Sequence, residues 1–90
     1  MNVIIKHIKL IERIDQLVRL KSTGTPEALA CRLGISKTKL YRTISTMKAL
    51  NAPVIYDVAL KSFVYEQNVG FRFGFYEQKE FRNKKLTNTA

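Results

Sequence analysis

The chain holds one cysteine, Cys31, and one histidine, His7, among its 90 residues. A single cysteine excludes an intramolecular disulfide, and the two together cannot build a Cys/His zinc site within one chain. Acidic residues are scarce: seven Asp and Glu stand against sixteen Lys and Arg, for a formal charge of +9. In the N-terminal stretch 1–20 the longest apolar run is Val3-Ile4-Ile5, too short for a signal-peptide core or a membrane span. There is no nucleotide-binding glycine loop, no metal-ligand cluster and no pair of carboxylates beside a nucleophile, so nothing points to an enzyme. Internal repeats and low-complexity linkers are also missing. The expectation is a soluble, cytoplasmic, single-domain protein with no cofactor and no small-molecule effector.

What is present begins with the charge. A cationic surplus favours a polyanion as partner, either nucleic acid or an anionic membrane surface; the plain alternative is a solvated basic surface. The first segment, Val3 to Lys21, has helical periodicity. Ile4, Ile8, Leu10, Ile11, Ile14, Leu17 and Val18 gather on one side, and Lys9, Glu12, Arg13, Gln16 and Arg19 on the other. Asp15 and Arg19 are four apart in the favourable order. Gly24 is expected to close this helix in a left-handed conformation. The apolar stripe is wide, serving either one core or a core and a dimer partner. His7 falls within the stripe and reads as structural, because no Asp, Ser or Cys is placed to partner it.

Thr25-Pro26-Glu27 opens a second, short helix through Leu33: a good N-cap, proline at the first helical position, and an acid at the positive end. Gly34 stops it, and Cys31 points away from the Leu29/Leu33 pair as a spectator. Ser36 caps a third helix from Lys37 to about Leu50, ended by Asn51-Ala52-Pro53. Leu40, Ile44 and Met47 must face inward. Beyond Pro53 the period drops to two. Val54-Ile55-Tyr56 and Phe63-Val64-Tyr65 read as a hairpin, and Phe71, Phe73 and Phe75 as a candidate third strand. The fold class is therefore α+β, mainly α, with one domain over residues 1–77 and a basic, poorly ordered tail over 78–90.

Two short capped helices about a glycine turn, locked by Leu29, Leu33, Ile35, Leu40 and Ile44, make a helix-turn-helix arrangement. It leaves the start of the second of these helices projecting, and an α-helix fits the major groove of duplex DNA. No acid lies between Glu27 and Asp57, whereas Arg32, Lys37, Lys39, Arg42 and Lys48 do. Hydroxyls on Thr38, Tyr41 and Ser45 can bond phosphates or base edges, and Arg42 can read guanine through two hydrogen bonds.

Residues His7 to Tyr65 resemble the winged helix-turn-helix domains of bacterial transcriptional regulators of the DeoR-like and biotin-repressor-like type. The resemblance is strongest to the N-terminal domain of WYL-type regulators. It rests on Thr25-Pro26-Glu27-Ala28-Leu29-Ala30 with Leu33-Gly34-Ile35-Ser36, on Leu40-Tyr41-Arg42 with Ile44, and on Leu50 through Asp57. It implies a three-helix core, a recognition helix over 37–49, a wing hairpin over 54–66 and a role in transcription or a related DNA transaction. Such wings often carry Gly and Arg; here the tip is Val58-Ala59-Leu60-Lys61, which leaves Lys61 as its one charged contact. No effector domain is expected after the wing.

The candidate DNA-binding residues are thus Ser36, Lys37, Thr38, Lys39, Tyr41, Arg42, Ser45, Lys48 and Lys61, with double-stranded DNA as partner. One module offers too few base contacts for genomic selectivity, so a homodimer or a partner protein is expected. The alternative is a protein-interaction module. All aromatics except Tyr41 follow residue 50, and Phe71, Phe73 and Phe75 either close the core or form an edge for a partner strand. RNA binding is less favoured, because the strand motifs and loops that hold single strands are missing.

Overall fold

Each helix starts on a side chain that accepts an otherwise free backbone N–H. In a computed structural model describing residues 2–76, Asn2 Oδ1 accepts from Ile4 N at 2.8 Å and opens α1, Val3–Arg19. Thr25 Oγ1 accepts from Ala28 N at 3.2 Å and opens α2, Pro26–Leu33. Ser36 Oγ accepts from Lys39 N at 3.0 Å and opens α3, Lys37–Ala49. The tail expected over 78–90 lies outside the described residues.

The helices also end alike. Lys21, Gly34 and Asn51 all take positive φ, at 54°, 70° and 75°. Behind each, two backbone bonds fold back onto the last turn: Lys21 N to Val18 O with Ser22 N to Leu17 O, Gly34 N to Cys31 O with Ile35 N to Ala30 O, and Asn51 N to Lys48 O with Ala52 N to Met47 O. This is the Schellman arrangement, which satisfies carbonyls that the helix leaves free. Gly24 is not the stop of α1, as the sequence suggested. Lys21 takes that role three residues earlier, and Gly24 (φ 76°) instead brings the chain close over Ala28, whose Cβ would lie 3.2 Å from a Cβ at Gly24.

Strands β1, Val54–Asp57, and β2, Ser62–Tyr65, pair antiparallel with Val54 opposite Tyr65 and Tyr56 opposite Phe63. The Tyr56 and Phe63 rings meet edge to face with centroids 5.1 Å apart, a stabilising cross-strand pair. Asp57 Oδ1 accepts from Leu60 N at 3.0 Å and closes the loop between the strands. Among the described residues the architecture is α+β and mainly helical, with three helices and one two-stranded sheet.

The candidate third strand is not there. Phe71 packs half-buried against the core, but Phe73 and Phe75 are exposed, Phe75 fully. Alternation alone does not make a strand; it needs an open edge. On β2 the Phe63 N–H already donates to Thr23 Oγ1 at 2.8 Å, and Ser62 Oγ accepts from Thr23 N at 3.1 Å. The α1–α2 connector therefore occupies that edge through side chains. Of the reading that these phenylalanines close the core, only Phe71 conforms.

The core joins all five elements: Ile11, Ile14 and Val18 of α1, Leu29 and Ala30 of α2, Leu40, Ile44 and Met47 of α3, and Val54 and Phe63 of the hairpin. The expected stripe of α1 is only partly covered. Ile8, Leu10 and Leu17 are half-buried, while Ile4 remains 62% exposed. Among the described residues no helix is long and apolar enough to cross a membrane.

Candidate nucleic-acid interface

The 3.6-residue period of α3 sorts its side chains without ambiguity. Leu40, Thr43, Ile44 and Met47 are buried. Opposite them, Thr38, Arg42, Ser45 and Ala49 form the centre of an exposed face, with Tyr41, Lys48 and Lys37 along one border and Lys39 along the other. Inward-facing Leu40, Ile44 and Met47 agree with the sequence reading. Thr43 was not anticipated in the core. Its hydroxyl donates to Lys39 O at 2.8 Å, which makes a buried threonine tolerable. Thr46 makes the same bond to Arg42 O at 3.1 Å.

The nine candidate residues do not form one uniform surface. Thr38, Tyr41, Arg42, Ser45 and Lys48 are exposed together on α3, and no ion pair holds Arg42, Lys39 or Lys48 among the described residues. Ser36 is committed to its cap, so its oxygen serves Lys39 N rather than an outside donor. Lys61 sits on the hairpin, at the end of its loop and with φ 52°, and is exposed.

Lys37 departs most from expectation. Its Nζ lies 3.1 Å from Glu27 Oε2, so the cation at the start of α3 is held by the acid at the start of α2. Glu27's own backbone hydrogen bond, then Lys37, hold its carboxyl below the usual carboxylate range. The pair is exposed on both sides, at 52% and 67%, so it sets the direction of Lys37 more than it stabilises the fold. Arg32 is also tied down, donating from Nη1 to Ser22 O at 3.1 Å.

Sequence reasoning missed a second group of cations. Lys39 lines an open groove together with Lys6, Lys9 and Arg13 of α1. The signal was the i, i+3, i+7 spacing of those three on the polar side of α1, but which element they would face depends on how α1 crosses α3. Elsewhere, the cavity beside Asp15, Tyr65 and Phe71 has a volume of about 60 Å³. That is room for a few waters, against roughly 300–1,000 Å³ for a small-molecule site. Among the described residues no group of three His, Cys, Asp or Glu is placed to hold a metal.

Comparison with protein-family models, with curated proteins and with solved structures finds no match to this chain.

Proposed function

We propose that this chain is a winged helix-turn-helix module that binds double-stranded DNA and regulates transcription in the bacterial cytoplasm, with α3 entering the major groove. The observation that carries this reading is the exposed face of α3. Thr38, Tyr41, Arg42, Ser45 and Lys48 project together with no acidic residue on the helix, while Leu40, Ile44 and Met47 anchor it from behind. A rigid helix presenting hydroxyls and a guanidinium that is in no ion pair among the described residues suits base edges, and the flanking lysines suit phosphates. The order α2, Gly34 turn, α3 and hairpin fits the same reading, with the hairpin as wing and Lys61 as its phosphate contact.

Specificity over a genome requires more base pairs than one α3 can touch. We therefore assign the working form as a homodimer on two half-sites about 34–36 Å apart. Selection from random duplexes followed by sequencing tests this. An enriched motif with two related halves at that spacing is expected; failure to enrich any duplex contradicts it.

A second reading, as a protein-interaction module, draws on the exposed rings of Phe73, Phe75 and Tyr76. Three aromatics in solvent in so short a segment favour a partner surface. Replacement of Phe73 and Phe75 by Ser distinguishes the two. A wild-type chain with no duplex affinity that binds a protein partner, with that binding lost in the variant, supports this second reading. Salt-sensitive duplex binding unchanged in the variant supports the first.

A further inference from the structure

Four cations meet on a face that lies beside, and not on, the centre of α3. Lys6, Lys9 and Arg13 of α1 and Lys39 of α3 line one open groove with a volume of about 460 Å³. At 1.5 Å rise per residue, the three α1 cations span about 10.5 Å along one side of the helix. No carboxylate lines the groove, and none of the four is in an ion pair among the described residues. The first turn of α1 carries no acid, so its positive end adds to the field. Gathered like charges repel, and a polyanion laid across them relieves that repulsion.

Two occupants suit such a groove: the phosphates of a nucleic acid, or an acidic amphipathic segment that would also use the apolar floor of Leu10, Leu33 and Ile35. Lys39 decides between them, because it belongs both to this groove and to the border of the exposed face of α3. A duplex engaged by α3 brings its backbone to Lys39, and continues from there toward Arg13, Lys9 and Lys6. We propose that the groove is a second, sequence-blind contact for the sugar–phosphate backbone flanking the major groove that α3 occupies. This rests on the DNA-binding reading above. It adds α1 to the footprint and assigns to it affinity without base preference.

The test uses the full chain, a duplex obtained by selection and an unrelated duplex of the same length, titrated across salt concentration by fluorescence anisotropy. The variants are the triple Lys6→Gln, Lys9→Gln, Arg13→Gln, and the single Arg42→Ala. All three α1 positions are exposed, so circular dichroism and melting temperature should stay at wild-type values. The triple variant is expected to weaken both duplexes equally. It should also flatten the slope of log K against log salt by about 2 to 3, at roughly 0.9 per phosphate contact. Arg42→Ala should instead weaken the selected duplex more than the unrelated one. A triple variant with wild-type slope and affinity overturns the groove proposal and leaves the role of α3 standing. Binding of an acidic, leucine-rich helical peptide by wild type but not by the triple variant, with duplex slopes unchanged, gives the groove to a protein partner and overturns it too. A wild-type chain that binds neither duplex overturns both.

Discussion

The Tyr65 hydroxyl donates to Oδ1 of Asp15 at 2.7 Å, across fifty residues of sequence. Arg19 covers the other oxygen, with Nη2 and Nε at 2.8 and 3.1 Å from Oδ2. Asp15 is only 4% exposed, so this is a buried carboxylate satisfied at both oxygens. The bond joins α1 to the second strand of the hairpin and so fixes the hairpin against the helical body. Tyr65→Phe leaves one carboxylate oxygen short of its donor. The expected loss is about 1–3 kcal/mol in urea unfolding with an unchanged slope; wild-type stability would deny the bond its structural role.

Burial, then the hydrogen bond to Asp15 and its negative charge, push the Tyr65 hydroxyl well above the usual tyrosine value, while Arg19 pulls slightly the other way. The folded chain thus holds this proton more tightly than the unfolded chain, whose tyrosines ionise near about 10. The contribution is complete below that pH and shrinks as pH rises beyond it. Wild type is therefore expected to lose stability more steeply above about pH 10 than Tyr65→Phe does. Parallel stability–pH curves for the two proteins would contradict the assignment.

Two of the three helix ends make a matched experiment. Lys21 takes a left-handed conformation that disfavours any side chain, so Lys21→Gly should stabilise by about 0.5–1 kcal/mol. Gly34→Ala places a Cβ in open space, with nothing within 4 Å, so only the backbone opposes it. A destabilisation of about 1–2 kcal/mol is expected. Opposite signs in thermal melts support the shared termination; equal signs do not.

Much of the fold was legible because its punctuation is local. Thr25-Pro26 and Ser36 open α2 and α3, Gly34 and Asn51 close them, and the inward residues of α3 follow from the helical period. What escaped depends on distant partners. Asp15 was paired with Arg19 from their spacing, but its burial depends on Tyr65 arriving from β2. Phe71, Phe73 and Phe75 alternate as a strand does, yet a ladder needs a free edge, and Thr23 has taken the Phe63 N–H. At the candidate interface, the exposed face of α3 was readable. The capture of Lys37 by Glu27 was not, since nothing in ten residues of sequence states how α2 and α3 cross.

That capture carries its own expectation. With Glu27→Gln the Lys37 ammonium is released for phosphate. Duplex affinity should rise at low salt, and the slope of log K against log salt should steepen by one phosphate's share, roughly 0.9. The melting temperature should fall only slightly: the pair with Lys37 is exposed, and the carboxylate's interaction with the positive end of α2 is the stabilising contact that is lost. An unchanged slope would place Lys37 outside the footprint.

The proposed sequence-specific binding depends on the exposed face of α3 touching the bases, and the most direct measurement is the affinity of the Lys39→Ala, Arg42→Ala double variant for the selected duplex. Removing Arg42 forgoes a two-point base contact of about 1–3 kcal/mol, and removing Lys39 leaves a phosphate without its cation. A weakening of about 5- to 150-fold or more is expected, with less discrimination against unrelated sequence. An affinity and a sequence preference equal to those of the wild-type chain would contradict the assignment of α3 as the recognition helix.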